Sequence, residues 1–255
     1  EVPLGGVTGQ IAIGHAQRRA DLQERAKRLQ EQIGQAESRK ITVDQKDGTL
    51  LGPGGLNLGD EQRIIVVDFC TVNRYYDRGY DSANPQPPAC MAIGDIIEEM
   101  VPEEGVPAQQ SPRCATCWAN KWESDLQGGR GKACKNTRDL AVVLLDELED
   151  PDSDPTLYVV SCSPTSLKSF DAAATSILRM MGGPPIMAQM TMRVKATKNY
   201  YNLQFGDIEE NQYLERVYPL LETTADILGR MPDFSSYEEP KKLPIDDVRN
   251  QQRRR

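Results

Sequence analysis

The chain has 255 residues, 38% of them hydrophobic, and carries 30 basic against 38 acidic side chains, a formal net charge of −8. That balance excludes indiscriminate binding of polyanions by bulk charge, and no stretch approaches the roughly 18 consecutive apolar residues of a membrane span. The length suits one globular domain with polar extensions, and with no secretory pattern in EVPLGGVTGQ a soluble, intracellular protein is expected.

In chain order, residues 1–40 read as a helical arm. Leu22, Ala26, Leu29 and Ile33 recur at intervals of four, three and four, one apolar stripe among charged and amide side chains. Such a stripe must cover its own domain, a partner helix or a neighbouring subunit. Asp47-Gly48 marks a tight turn between short strands. The β-branched run Ile64 to Val67 predicts a buried strand that opens the main core. NPQPPACMAIGD is too rich in proline for a regular element and delivers Cys90 on a loop or at the start of a short strand. LAVVLLDEL is a strand or a short helix, DPDSDP an acidic turn and TLYVVSC a strand. Ser163, Pro164 and Thr165 begin a helix whose apolar face holds Leu167, Phe170, Ala174, Ile177 and Met181, stopped by Gly-Gly-Pro-Pro. MTMRVKA and YYNLQF are two antiparallel strands around a TKN turn, and QYLERVYPLLETTADIL is a helix bent at Pro219. Residues 231–255 form a tail. This α+β, mainly β, inventory fits a small curled antiparallel sheet or barrel with peripheral helices over residues 41–230.

Six cysteines are too few for a disulfide scaffold in a chain of this length. Cys70 and Cys162 sit in or beside apolar runs and read as isolated buried thiols. Cys114 and Cys117 stand in C-x2-C spacing, which lets a tight knuckle aim two thiolates at one ion. Cys90 and Cys134 would complete a four-sulfur set suited to one structural Zn(II) within a 90–134 insertion; unligated structural cysteines are the alternative. The single histidine, His15, lies in the arm, so a histidine ligand is not expected.

Between Arg113 and Arg138 there are six basic and two acidic residues, although the chain as a whole is acidic. Trp118 and Trp122 flank the knuckle, and GGRGKACKN gathers Arg130, Lys132 and Lys135 around Cys134. Tyr75 and Tyr76 neighbour Arg74 and Arg78, and Tyr200 and Tyr201 neighbour Lys195 and Lys198. Aromatic rings interleaved with cations suit single strands, because any base can stack while its phosphate is neutralised. The plainer reading makes Trp118 and Phe205 core residues and the cations ordinary surface. No Walker pattern, no G-x-S-x-G and no histidine beside a nucleophile is present, so a non-enzymatic role is expected.

Taken together, PPACMAIG, CATCWANKWESD, GGRGKACKN and SPTSLKSF resemble a group of tailed-phage proteins regarded as single-stranded DNA-binding or replication-associated, over approximately Ile64 to Leu228. The resemblance implies an oligonucleotide-binding (OB-like) barrel with a zinc-knuckle insertion, with Cys90, Cys114, Cys117 and Cys134 as the family's cysteines. It implies that Arg130, Lys132, Lys135 and Asn136 are its basic block, and that the chain works in phage DNA replication or recombination in the cytoplasm of an infected bacterial host. Asp139 stands where a further basic residue would be typical. The expected single-stranded DNA contacts are therefore Arg130, Lys132, Lys135, Lys195 and Lys198 to phosphates, and Tyr75, Tyr76, Trp122 and Tyr201 to bases. A phage structural or assembly protein, with purely structural zinc and a helical arm that mediates oligomerisation or binds another phage protein, is the competing expectation.

Overall fold

The Ile64–Val67 run lies in the first half of one long strand. In the computed structural model, which describes residues 39–78, 86–126 and 128–238, this strand, β3 (Glu61–Tyr75), is 15 residues long. The arm of residues 1–40 lies outside the described residues but for its last two positions, as does the tail beyond residue 238. The other strands are β1 (Lys40–Val43), β2 (Leu50–Leu51), β4 (Cys90–Gly94), β5 (Cys134–Leu144), β6 (Tyr158–Cys162), β7 (Ala188–Ala196) and β8 (Tyr201–Glu210). They form one sheet in the order β2-β1-β6-β5-β3-β7-β8, with β4 added on β3. Among the described residues every pairing is antiparallel except β1 with β6, which run parallel.

The central strands are apolar on both faces because both are covered. On one face Ile64, Val66, Leu140 and Val142 pack under α2 (Leu167–Met181), whose Phe170 and Ile177 are fully buried. On the other, Ile65, Val67, Ala141 and Val143 meet Val217 and Ile227 of the C-terminal segment. The expected apolar face of α2 holds, except that Ala173 is buried more deeply than Ala174. Gly182, in left-handed conformation (φ 73°), returns its N–H to the Leu178 carbonyl and ends this helix.

LAVVLLDEL is both of its alternatives in succession: β5 runs to Leu144 and α1 (Leu145–Glu149) follows at once. The single bent helix expected near Pro219 is instead three short pieces, α3 (Leu214–Val217), a 3-10 turn (Tyr218–Leu220) and α4 (Leu221–Thr224). A proline has no N–H to donate into a continuing helix, and its preset φ starts the new turn instead.

The sheet curls into a half-barrel. A bulge in β3 between Val66 and Asp68 bends it. At the two ends of the strand order, Gln45 exchanges two hydrogen bonds with the Tyr201 backbone, at 3.2 and 3.0 Å. The described fold is thus mostly β and curled, with one parallel pair that the all-antiparallel expectation lacked.

Candidate functional site

Beyond the bulge, β3 leaves the main core and becomes the central strand of a smaller lobe. Its end pairs with β4 on one side and β5 on the other, so that Tyr75 is directly opposite both Cys90 and Cys134. Residues opposite each other in a sheet project from the same face. Both cysteines therefore flank the Tyr75 ring on one face, and two residues earlier Asn73 is flanked by Ala92 and Asn136.

The knuckle is built from two 3-10 turns, Cys114–Thr116 and Trp118–Asn120. The Cys117 N–H reaches the Cys114 carbonyl, the Asn120 N–H reaches the Cys117 carbonyl, and the Cys114 N–H ties the knuckle to Met100. All four cysteines are buried, and they line one cavity of about 20 Å³, room for a single water-sized occupant. Backbone N–H groups of Gln110 and Met91 point at the Cys90 sulfur, and the Asn73 amide at that of Cys114. Burial pushes the Cys90 and Cys114 thiols up and that of Cys134 up to about 12, and the negative charge of each neighbouring sulfur opposes ionisation further.

Four soft sulfur donors around a water-sized cavity, with N–H groups placed to support thiolate charge, fit a structural Zn(II) ion. Among the described residues, however, no group of three or more His, Cys, Asp or Glu side chains is already drawn together as a metal-holding set. The cysteines share a cavity without being closed on it.

The expected DNA contacts divide sharply. Trp122 is 74% exposed, and the Lys132 ammonium lies 5.6 Å from its ring centroid, within cation–π range. The turn that carries Trp122 is clamped by Ser124, whose single hydroxyl proton is shared between the Ala119 and Lys121 carbonyls and whose oxygen accepts the Ala133 N–H. Lys121, next to it in the chain, and Arg130, whose carbonyl accepts the Glu123 N–H at 3.3 Å, are both exposed. Lys132 is turned partly inward, its ammonium donating to the side-chain oxygens of Asn120 and Asn136 at 3.1 and 3.0 Å. Lys135 remains exposed, bonded to the Lys132 carbonyl and 3.7 Å from Asp125.

One stacking assignment is corrected. Tyr75 is only 7% exposed and meets Trp118 edge to face at 5.6 Å between centroids, so it offers no face to a base. Tyr201 is half-buried, with its backbone held by Gln45 and its ring laid against Gly48, where an added Cβ would come within 2.4 Å of the ring. Tyr76 is exposed. Of the two aromatic residues assigned to the core, Phe205 is buried and stacks edgewise on Phe170. Trp118 keeps 43% of its surface exposed.

The two basic clusters are not brought together. β7 pairs with the beginning of β3, Arg193 opposite Glu61, so Lys195 and Lys198 lie past one end of β3 while Arg130, Lys132 and Lys135 lie at the other. At about 3.3 Å per residue the strand between them spans roughly 45 Å. Sequence reading placed Asn136 in the basic block but missed Asn73 and Asn120, which with it tie the knuckle to Lys132. An isolated asparagine carries no local signal: the pairing of β3 with β5 sets Asn73 opposite Asn136, and the folded knuckle brings Asn120 to Asn136.

No helix among the described residues is long and apolar enough to cross a membrane. Compared with known proteins, the chain matches no protein-family model, no curated protein and no solved structure.

Proposed function

We propose that this chain binds single-stranded DNA without catalysing a reaction, through the surface of its cysteine lobe, as part of phage DNA replication or recombination. The observation that carries the reading is the exposed Trp122 ring on a clamped turn with Lys132 against it and Lys121, Arg130 and Lys135 nearby. A flat ring supplies sequence-tolerant stacking and the cations supply phosphate neutralisation, which is the combination single strands require. The curled half-barrel and the four motif blocks support an OB-like barrel as the carrier of this surface. Cys90, Cys114, Cys117 and Cys134 hold one structural zinc in this reading, and the ion orders the long excursion between β4 and β5. Lys195 and Lys198 form a second contact patch for longer strands.

Anisotropy titration of labelled oligo-dT with zinc-loaded protein, over a series of salt concentrations and with a duplex control, tests this. Salt-sensitive binding that favours the single strand is expected. No binding at about 20 mM salt, where phosphate contacts are strongest, refutes it.

A protein-assembly role is favoured by a different observation. Ile96, Ile97, Val101, Trp118 and Leu126 of the same lobe are all exposed, an apolar character that DNA phosphates do not need. A defined oligomer that ignores oligo-dT in sedimentation would make this reading primary.

A further inference from the structure

Behind the exposed Trp122 a chain of side-chain amides runs inward to the knuckle. The Asn120 amide donates to the Cys114 carbonyl at 3.1 Å, and its oxygen accepts both the Lys132 ammonium and the Asn136 amide, each at 3.1 Å. Asn136 donates in turn to the buried Asn73 at 2.5 Å, and Asn73 bonds the Met100 sulfur at 3.5 Å and the Cys114 thiol. Two routes therefore connect Cys114 to the Lys132 ammonium, one through its carbonyl and Asn120, the other through its sulfur, Asn73 and Asn136. Lys132 then meets the Trp122 ring.

We infer that Asn120 and Asn136 are positioning residues that couple the state of the cysteine site to the Trp122–Lys132 surface, so that single-stranded DNA binding depends on zinc. This rests on the DNA-binding reading above. The physical argument is one of shared partners. Drawing four sulfurs onto an ion moves the Cys114 turn, and Asn120 cannot follow that turn without shifting the oxygen that holds Lys132. A partly buried amide keeps its hydrogen bonds because losing one leaves an unsatisfied group. The lysine, already against the Trp122 ring, is thereby held by Asn120 and Asn136 in one arrangement and released toward an incoming phosphate in the other. Coupling between sites means that a ligand at one discriminates between the arrangements of the other, and the effect is reciprocal.

The molecule contains its own reporter, since Trp118 and Trp122 are its only two tryptophans and both lie on this lobe. Reduced, metal-free full-length protein is titrated with Zn(II) while tryptophan emission is recorded, and oligo-dT affinity is measured with and without the ion. The wild type is expected to change emission as zinc binds and to gain about tenfold in oligo-dT affinity, an ordinary size for a coupling between sites. Asn120→Asp keeps an oxygen for Lys132 but cannot donate to the Cys114 carbonyl. It is expected to bind one zinc like the wild type yet lose most of the emission change and of the affinity gain. Asn136→Ala, which cuts the second route, is the companion variant should Asn120→Asp fold poorly.

Variants that bind zinc and retain the full wild-type response in both readouts overturn the coupling. So does a wild type that binds oligo-dT equally well with and without zinc. Should zinc-loaded wild type ignore oligo-dT altogether, the DNA reading fails. The emission change then judges the coupling by itself, upheld where Asn120→Asp abolishes it and overturned where it persists.

Discussion

The Arg74 guanidinium meets the Asp139 carboxylate at 2.6 Å across β3 and β5, with 17% and 6% of the two side chains exposed. Thr137 accepts a second bond from Arg74, and Ser161 donates to the other carboxylate oxygen. Asp139 thus faces inward and neutralises a largely buried arginine. Asp139→Ala should lower stability by about 3 kcal/mol in urea unfolding, since removing one member of a buried pair leaves the other charge unpaired. A loss below about 1 kcal/mol would show that water reaches Arg74 readily.

Alkaline pH should destabilise the fold. Burial pushes Cys70, Cys162 and Tyr158 up to about 12 from ordinary values of 9.0, 9.0 and 10.0, with the nearby carboxylates of Asp139 and Glu147 adding to the effect on Cys70 and Tyr158. The folded chain thus holds protons that the unfolded chain releases. Their contribution is full below pH 9 and is lost as the pH rises toward about 12. Urea midpoints at pH 8 and pH 10.5 check this, and a higher midpoint at pH 10.5 would contradict it.

The distance between the basic clusters makes their roles depend on ligand length. On an oligo-dT of about 5 nucleotides, Arg130→Ala should weaken binding and reduce the salt slope by about one, while a Lys195→Ala, Lys198→Ala double variant should bind like the wild type. On a strand long enough to span about 45 Å, the double variant should lose affinity too. Equal effects on the short strand would mean that a single groove serves both clusters.

Gly48 is held at φ +70°, and an added Cβ would meet the Tyr201 ring. Gly48→Ala should therefore cost about 2 kcal/mol, part from backbone conformation and part from the ring. In a Tyr201→Ala background the same substitution should cost less, and strict additivity of the two would show that the ring moves aside freely.

Much of the main core was legible in the chain because its causes are local. Ile64 to Val67, TLYVVSC and the helix after Ser163 announce themselves by side-chain shape and periodicity; the structure places the two strands as expected and starts the helix at Leu167, without a side-chain cap. The C-x2-C knuckle was legible as a pair of neighbouring thiols. Tyr75 was not: beside Arg74 it reads like an exposed stacking residue, and nothing nearby in sequence says that its ring lies between two cysteines.

By itself, then, the sequence determined several of the strands, where α2 ends, and that the cysteines and cations crowd into one excursion, all consequences of neighbours within a few residues. Only the tertiary structure decided that β4 and β5 bracket Tyr75 with Cys90 and Cys134, that Asn73 and Asn136 meet across strands 63 residues apart in sequence, and that Lys195 and Lys198 stand a full strand length from Arg130. Those outcomes follow from strand register, which is settled by burying apolar faces across the whole sheet and leaves no mark on any short stretch of chain.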